Sequence, residues 1–208
     1  MDEPQDARAY ASAKFPEVMQ SVLDRLFQLV GDRQDVRMVD LGTGPASIPI
    51  AVAKAKPTWH ITGVEAAPAM AKIAQIATKM SGTHNQVKVH VADAKATGLP
   101  ASSFDIVFCN NMLHHMPEAG PLWDEIKRLA APDAIVFVRD LIRPPSEDAA
   151  KQQVQKYVGQ PNEKDHYLSL LAAFEIDEVR AQLRAAGLEN LTVEPISEDY
   201  FDVHGTIR

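Results

Sequence analysis

Apolar residues recur along the chain in two alternating rhythms. Val18, Val22, Leu26 and Leu29 join Phe15 on one helical face within residues 7–30, and Gly31 with Asp32 breaks that helix. Residues 36–41 form a short apolar run ending in glycine, the signature of a buried strand. Residues 46–56 read as a helix stopped before Pro57, with Pro49 in its first turn, where a missing N–H costs little. A second strand is expected over 59–64. A helix over 68–80 follows, with Met70, Ile73, Ala74 and Ala77 inward. Strands over 87–91, 104–109 and 134–140 complete the pattern, with a loop at "DAKATGLPASS" and a helix over 122–131.

Strand and helix alternating, with strands rich in Val and Ile, predicts parallel pairing through right-handed crossovers. The rhythm then changes. Residues 144–173 carry two short helical segments and no strand; Ser146 is placed to cap the first and Asn162 the second. A helix over 175–186 closes at Gly187. Two strand-like runs follow, 191–196 and 200–207, separated by too few residues for a crossover, so they must pair antiparallel. The expected fold is α/β: a seven-stranded, mostly parallel sheet with an antiparallel last strand. Helices cover both faces, with a helical segment at 1–34, a core over 35–143, a helical cap over 144–173 and a closing helix and hairpin over 174–208.

Composition narrows the function. The chain has 208 residues, of which 46% are apolar, enough for one sizeable core. A net charge of −7 with no Lys/Arg-rich run disfavours nucleic acid as a partner. Cys109 is the single cysteine, so no internal disulfide is possible and a reducing, cytoplasmic setting is expected. The opening "MDEPQDARAY" reads as neither secretory signal nor transit peptide, and no run approaches the roughly 18 apolar residues of a membrane helix. A monomer or homodimer fits equally.

The candidate chemistry centres on "VDLGTGPASIPIAVAKAKP", residues 39–57. A strand, a glycine turn and a helix put backbone N–H groups at the carboxyl edge of a sheet, where ligands bind. The dinucleotide fingerprint G-x-G-x-x-G is incomplete, because Ser47 stands at its third glycine. Asp40 precedes the turn, and a carboxylate there repels a pyrophosphate and attracts a cation. "VDLGTGPA" resembles the first motif of class I S-adenosylmethionine (SAM)-dependent methyltransferases, D/E-x-G-x-G-x-G, with Ala46 in place of the last glycine. The plainer alternative for Asp40 is a cap of the turn.

That resemblance assigns roles to further positions. It puts Asp40, Gly42, Thr43 and Gly44 at the amino-acid end of SAM. Glu65, at the end of the second strand, falls on the ribose hydroxyls with Ala66 beside it, Met70 against the adenine, and Asp93 with the Ala94 N–H on the adenine edge. Asn110 and Asn111, in "FDIVFCNNMLHHM", fall at the methionine end, and Tyr10 lies in a segment that folds over the cofactor in the family. The implied cofactor is SAM, the implied product S-adenosylhomocysteine (SAH), and the implied partner a small-molecule acceptor with an O, N or S nucleophile. The plainer readings are a solvated strand end for Glu65 and an Asx turn for Asp93.

On the acceptor side, "RDLIRPP" offers Arg139, Asp140 and Arg143, with a structural Asp–Arg pair as the alternative. The cap offers Tyr157, His166 and Tyr167. Adjacent residues of a helical turn diverge, so of His114 and His115 only one is expected to face the ligand, and His115 is preferred. His115, Asp140 and His166 are the candidate proton acceptors. No metal-ligand spacing is present; "HH" alone is too little. A protein methyltransferase, a non-catalytic SAM-binding protein and a nicotinamide-dependent oxidoreductase are the rivals.

Overall fold

The computed structural model describes residues 16–155 and 163–207. The described helices are α1 (Pro16–Val30), α2 (Ser47–Ala55), α3 (Pro68–Met80), α4 (Gly120–Leu129), α5 (Glu147–Val154), α6 (Glu163–Ala172) and α7 (Ile176–Ala185). The strands are β1 (Arg37–Leu41), β2 (His60–Glu65), β3 (Val87–Val91), β4 (Phe104–Asn110), β5 (Ala130–Leu141), β6 (Thr192–Pro195) and β7 (Tyr200–Thr206), and a one-turn 3-10 helix, Leu113–His115, follows β4.

The seven strands form one sheet in the order β3-β2-β1-β4-β5-β7-β6. β1 to β5 pair parallel, and β7 enters antiparallel between β5 and β6. The order reverses between β1 and β4, so their carboxyl ends open the crevice where α/β sheets bind ligands. β1 and β4 contribute residues to both apolar layers, as strands covered on two sides must. Val22, Leu26 and Val30 of α1 join Val52 of α2 over one face, while Leu122, Ile126 and Leu129 of α4 join Val179 and Leu183 of α7 over the other.

Two elements differ from the sequence expectation. The buried face of α3 is Met70, Ala71, Ala74 and Thr78, rotated from the expected Ile73 and Ala77. The Thr78 hydroxyl donates to the Gln75 carbonyl, so its burial leaves no donor unmet. β5 starts at Ala130, earlier than expected, because Ala130 pairs with Phe104 across an irregularity before the regular register begins at Ile106 and Ile135.

The segment after β5 holds the two short helices α5 and α6, which share an apolar cluster, Leu141, Ala150, Val154, Leu170 and Ala173, against which Tyr167 packs. Ser146 Oγ accepts from Ala149 N at 3.2 Å and caps α5; Asn162 lies outside the described residues. α6 packs against the 3-10 turn after β4, so the cap meets the core at the carboxyl ends of β4 and β5. Among the described residues no helix is long and apolar enough to cross a membrane.

Candidate active site

The glycine turn after β1 is held mainly by its own N–H groups. Those of Gly42 and Thr43 both donate to Val64 O at 2.9 Å, Gly44 N donates to Glu65 Oε2 at 3.0 Å, and Ala46 N returns to Thr43 O at 3.0 Å. Pro45 has none, and Pro49 removes another from the first turn of α2. Few donors therefore remain for a phosphate. Three turn residues have positive φ: Gly42 at 76°, Gly44 at 54° and Ala46 at 63°. The alanine that replaces the motif's last glycine thus occupies the left-handed region, at a cost of about 1 kcal/mol.

Gly42 has a second reason to be glycine. A Cβ there would overlap the Met112 side chain, which lies across the turn from the loop after β4. Gly63 of β2, paired in register with Asp40, leaves room for the Thr43 side chain. Thr43 Oγ1 can then donate to Asp40 Oδ2 at 2.7 Å. Asp40 is only 3% exposed. Burial pushes its carboxyl up to about 7, opposed by the Thr43 hydrogen bond and assisted by the Glu65 charge.

Glu65 joins two segments. Its Oε2 accepts from Gly44 N and its Oε1 from Ala67 N at 2.9 Å, tying the first turn to the start of α3. A carboxylate offers about four lone-pair positions, so two remain for a ligand. Ala66 is exposed beside it and Met70 is fully buried. Asp93 is exposed in an Asx turn: Oδ1 accepts from Lys95 N at 2.9 Å, and Lys95 Nζ lies 3.0 Å from Oδ2. These contacts, the Lys95 N–H first, hold its carboxyl below the usual range. Ala94 is buried. Glu125 of α4 fixes the loop from behind, accepting from Thr97 N at 3.0 Å and Oγ1 at 2.5 Å while paired to Arg128, whose hydrogen bonds hold its carboxyl down at about 2.

The ends of β4 and β5 form the other wall. Among the described residues the side-chain oxygens of Asn110 and Asn111 are buried without a hydrogen-bond partner, and Asn111 turns the chain with φ of 52°. Asp140, 1% exposed, organises the loop that follows. Its Oδ2 accepts from Met112 N at 2.8 Å and Leu113 N at 2.6 Å, and its Oδ1 from Leu141 N at 2.8 Å. His114 Nδ1 lies 2.6 Å from the same Oδ1. Asp140 therefore has no free face as a proton acceptor; it holds the loop and His114. The preferred His115 is the more exposed member of the pair, its ring tilted by 44° against that of His114 with centroids 4.1 Å apart. Burial lowers the His115 imidazole, and the neighbouring His114 lowers it further.

Both acceptor-side arginines are ion-paired within the protein. Successive strand residues face opposite ways, so Arg139 points toward α1 while Asp140 turns toward the 3-10 loop. Arg139 grips Asp202 of β7 through Nε at 2.7 Å and Nη2 at 2.9 Å, and reaches Ser21. Arg143 is drawn to the start of α7, with Glu178 at 2.7 Å and Glu175 at 3.2 Å. In the cap, His166 is half-buried and lowered by that burial, and Tyr167 lines the cap's own cluster. Tyr10 and Tyr157 lie outside the described residues. The sequence pattern set His114 aside for His115 and did not mark Met112, since nothing local marks contacts that join separate strand ends.

A parallel sheet closed by an antiparallel β7, with an acid at the end of each of β1 and β2, is the architecture that the sequence resemblance implies. A family profile described as "Methyltransferase domain" matches residues 39–138. A 27-O-demethylrifamycin SV methyltransferase of Amycolatopsis mediterranei (strain S699) is 26% identical over 90% of this chain and 66% of its own length. A ubiquinone biosynthesis O-methyltransferase of Xanthomonas euvesicatoria pv. vesicatoria (strain 85-10) is 27% identical over 74% of this chain and 62% of its own. The chain thus spans about two thirds or less of the length of these curated relatives. A SAM-dependent methyltransferase structure from Aquifex aeolicus superposes with a TM-score of 0.72, at 18% identity, over 99% of both chains. Together these similarities support a class I SAM-dependent methyltransferase.

Proposed function

We propose that the protein transfers the methyl group of SAM to a hydroxyl of a small molecule. The observation that carries this reading is the set of acceptors at the carboxyl ends of β1 and β4. The buried carboxyl of Asp40 lies there, and the Asn110 and Asn111 oxygens have no partner among the described residues. A ligand that fits must bring positive charge and N–H donors, and the ammonium and sulfonium end of SAM does so. Asp40, Asn110 and Asn111 would hold that end. The two free lone-pair positions of Glu65 would accept from vicinal ribose hydroxyls, and Asp93 and the Ala94 N–H would meet the adenine edge. When bound, SAM supplies an already activated methyl group, so no covalent intermediate with the protein is needed. The chain's own task is to orient the acceptor and exclude water. The cap of α5 and α6 stands where it would do so.

The relatives' printed names are those of O-methyltransferases, and the acceptor side agrees with a neutral hydroxyl. Arg139 and Arg143, the arginines suited to gripping a carboxylate, are both ion-paired within the protein. Titration calorimetry with SAM and SAH, followed by transfer of labelled methyl to a panel of phenols and alcohols, tests the reading. Expected are binding of both and methylation of at least one hydroxyl compound but not its deoxy analogue. A folded protein that binds neither nucleoside overturns it.

A further inference from the structure

The loop after β3 is anchored by a buried polar knot to which methyl transfer assigns no role. Its centre is Glu125 of α4, 5% exposed, and Thr97 of the loop, 3% exposed. Every polar atom of Thr97 is engaged. Its N–H donates to Glu125 Oε1 at 3.0 Å, and its hydroxyl donates to the same oxygen at 2.5 Å. The hydroxyl accepts in turn from Leu99 N at 3.1 Å, and the Thr97 carbonyl faces His90 Nε2 of β3 at 2.8 Å. Arg128 closes the knot from outside, with Nε on Glu125 Oε2 and Nη2 on Oε1, both at 2.7 Å. Removing any of these partners leaves a buried polar group unmet, so the knot holds as a unit.

The knot fixes one end of the turn that carries Asp93 and Ala94. The other end is tied to β2, where Ala92 N donates to Glu65 O at 3.2 Å. Between the two anchors Ala96 N donates to Asp93 O at 3.0 Å and closes the turn. The Asp93 side chain is exposed and is held only by Lys95, through its N–H and its ammonium. Its direction is therefore inherited from the anchors.

We propose that Glu125, acting through Thr97, is a positioning residue that sets which base the loop accepts. With the loop clamped, the Asp93 carboxylate and the Ala94 N–H present an acceptor and a donor in fixed register, the complement of the 6-amino group and N1 of adenine. The proposal rests on the reading of this site as a SAM site. Hypoxanthine reverses both partners: its 6-oxo oxygen would face the carboxylate, and its N1–H would face the Ala94 N–H. A clamped loop cannot turn away from that mismatch, whereas a loose one can. Glu125 itself touches neither the base nor the methyl group.

Two measurements decide it. The first is amide hydrogen exchange on the ligand-free protein. The Thr97 and Leu99 amides should be protected, and Glu125→Met should lower their protection at least about tenfold relative to that of β1. Amides at both positions that exchange like those of an unstructured chain in the wild type would overturn the proposal whatever the ligand. The second is the affinity for SAH against that for its hypoxanthine analogue, S-inosylhomocysteine. The wild type should prefer SAH by at least about thirtyfold, from two hydrogen bonds unmade in the analogue. Glu125→Met should cut that preference below about fivefold, while Glu125→Gln, which keeps an oxygen for Thr97, should stay within about threefold of the wild type. Thr97→Val removes only the hydroxyl and should narrow the preference at least about threefold, which keeps the test open if Glu125→Met does not fold. A knot with a merely structural role would weaken both nucleosides in parallel. An unchanged ratio in the folded variants, or a wild-type preference under about threefold, would therefore overturn the proposal. Absence of SAH binding by the wild type would instead fail the functional reading while the exchange result stood.

Discussion

Lowering the pH from about 8 to about 6 should weaken SAM binding roughly tenfold, and Asp40→Asn should flatten the dependence. The argument starts from the buried Asp40 carboxyl, raised by desolvation from 3.8 to about 7. With that value the free protein carries an ionised Asp40 in about nine tenths of molecules at pH 8, half at pH 7 and one tenth at pH 6. A cation bound beside the carboxylate favours the ionised form. Binding must therefore expel the proton, about 0.1 per site at pH 8 and about 0.9 at pH 6, and each pH unit below 7 costs up to about 1.4 kcal/mol of affinity. The stability linkage has the matching sign. The folded-state value lies above the unfolded one, so the folded protein binds this proton more tightly. Asp40's contribution is greatest below about pH 4, falls as pH rises from about 4 to 7 and levels off above 7, with a ceiling of about 4 kcal/mol. SAM should return part of that loss, so its stabilising effect on unfolding should grow across the same window. Calorimetry in two buffers of different ionisation enthalpy reads the expelled protons directly. Asp40→Asn keeps an oxygen for the Thr43 hydroxyl, so the turn should persist in the variant. Affinity constant from pH 6 to 8 without proton release, or an unchanged slope in Asp40→Asn, would refute the assignment.

Three further outcomes follow from the same geometry. Glu65→Gln replaces an acceptor-only group with one whose NH₂ must face the Gly44 or Ala67 N–H. Chemical denaturation should therefore show a loss of about 1–3 kcal/mol, where a solvated strand end would lose under about 0.5 kcal/mol. Gly42→Ala should destabilise by at least about 2 kcal/mol through positive φ and overlap with Met112. Adding Met112→Ala should recover about 1 kcal/mol of it, and additivity of the two changes within about 0.5 kcal/mol would remove the contact from the explanation. Arg143→Ala should change acceptor KM less than about twofold and cost under about 1 kcal/mol of stability, as exposed ion pairs do; a tenfold rise in KM would return Arg143 to the pocket.

The frame of the molecule was legible because strands buried on both faces and amphipathic helices carry strong periods. The helix Pro68–Met80 and the strand Val87–Val91 fall at the expected residues. The inner face of α3 was misread because Thr78 looks polar until its hydroxyl is seen to bond one turn back. The acids of the site were legible as acids at strand ends. Their distant partners were not, because Gly44 N for Glu65 and Met112 N for Asp140 are backbone N–H groups 21 and 28 residues away in sequence, which leave no trace in side-chain pattern. Arg139 and Asp140 illustrate the limit. A period of two says that they face opposite ways, but only the pairing of β5 with β7, which sets Arg139 against Asp202, says which way each goes.

The balance of donors and acceptors explains why a glycine turn so close to a dinucleotide cradle would select a different ligand. A phosphate site needs free N–H groups at the turn and the helix start. Here those of Gly42, Thr43, Gly44 and Ala46 are engaged within the protein, and prolines occupy two more positions. Among the described residues the site groups left without partners are the opposite kind: the side-chain oxygens of Asn110 and Asn111, at the end of the strand paired with that of the costly buried carboxyl of Asp40. Buried acceptors without donors, and a carboxyl raised by desolvation, both raise the free energy of the empty site. A cation bearing N–H groups relieves both at once; a pyrophosphate relieves neither and adds charge repulsion. Under the proposed function the missing third glycine is secondary, and a preference for a cationic nucleoside would follow from how the turn's own hydrogen bonds are closed.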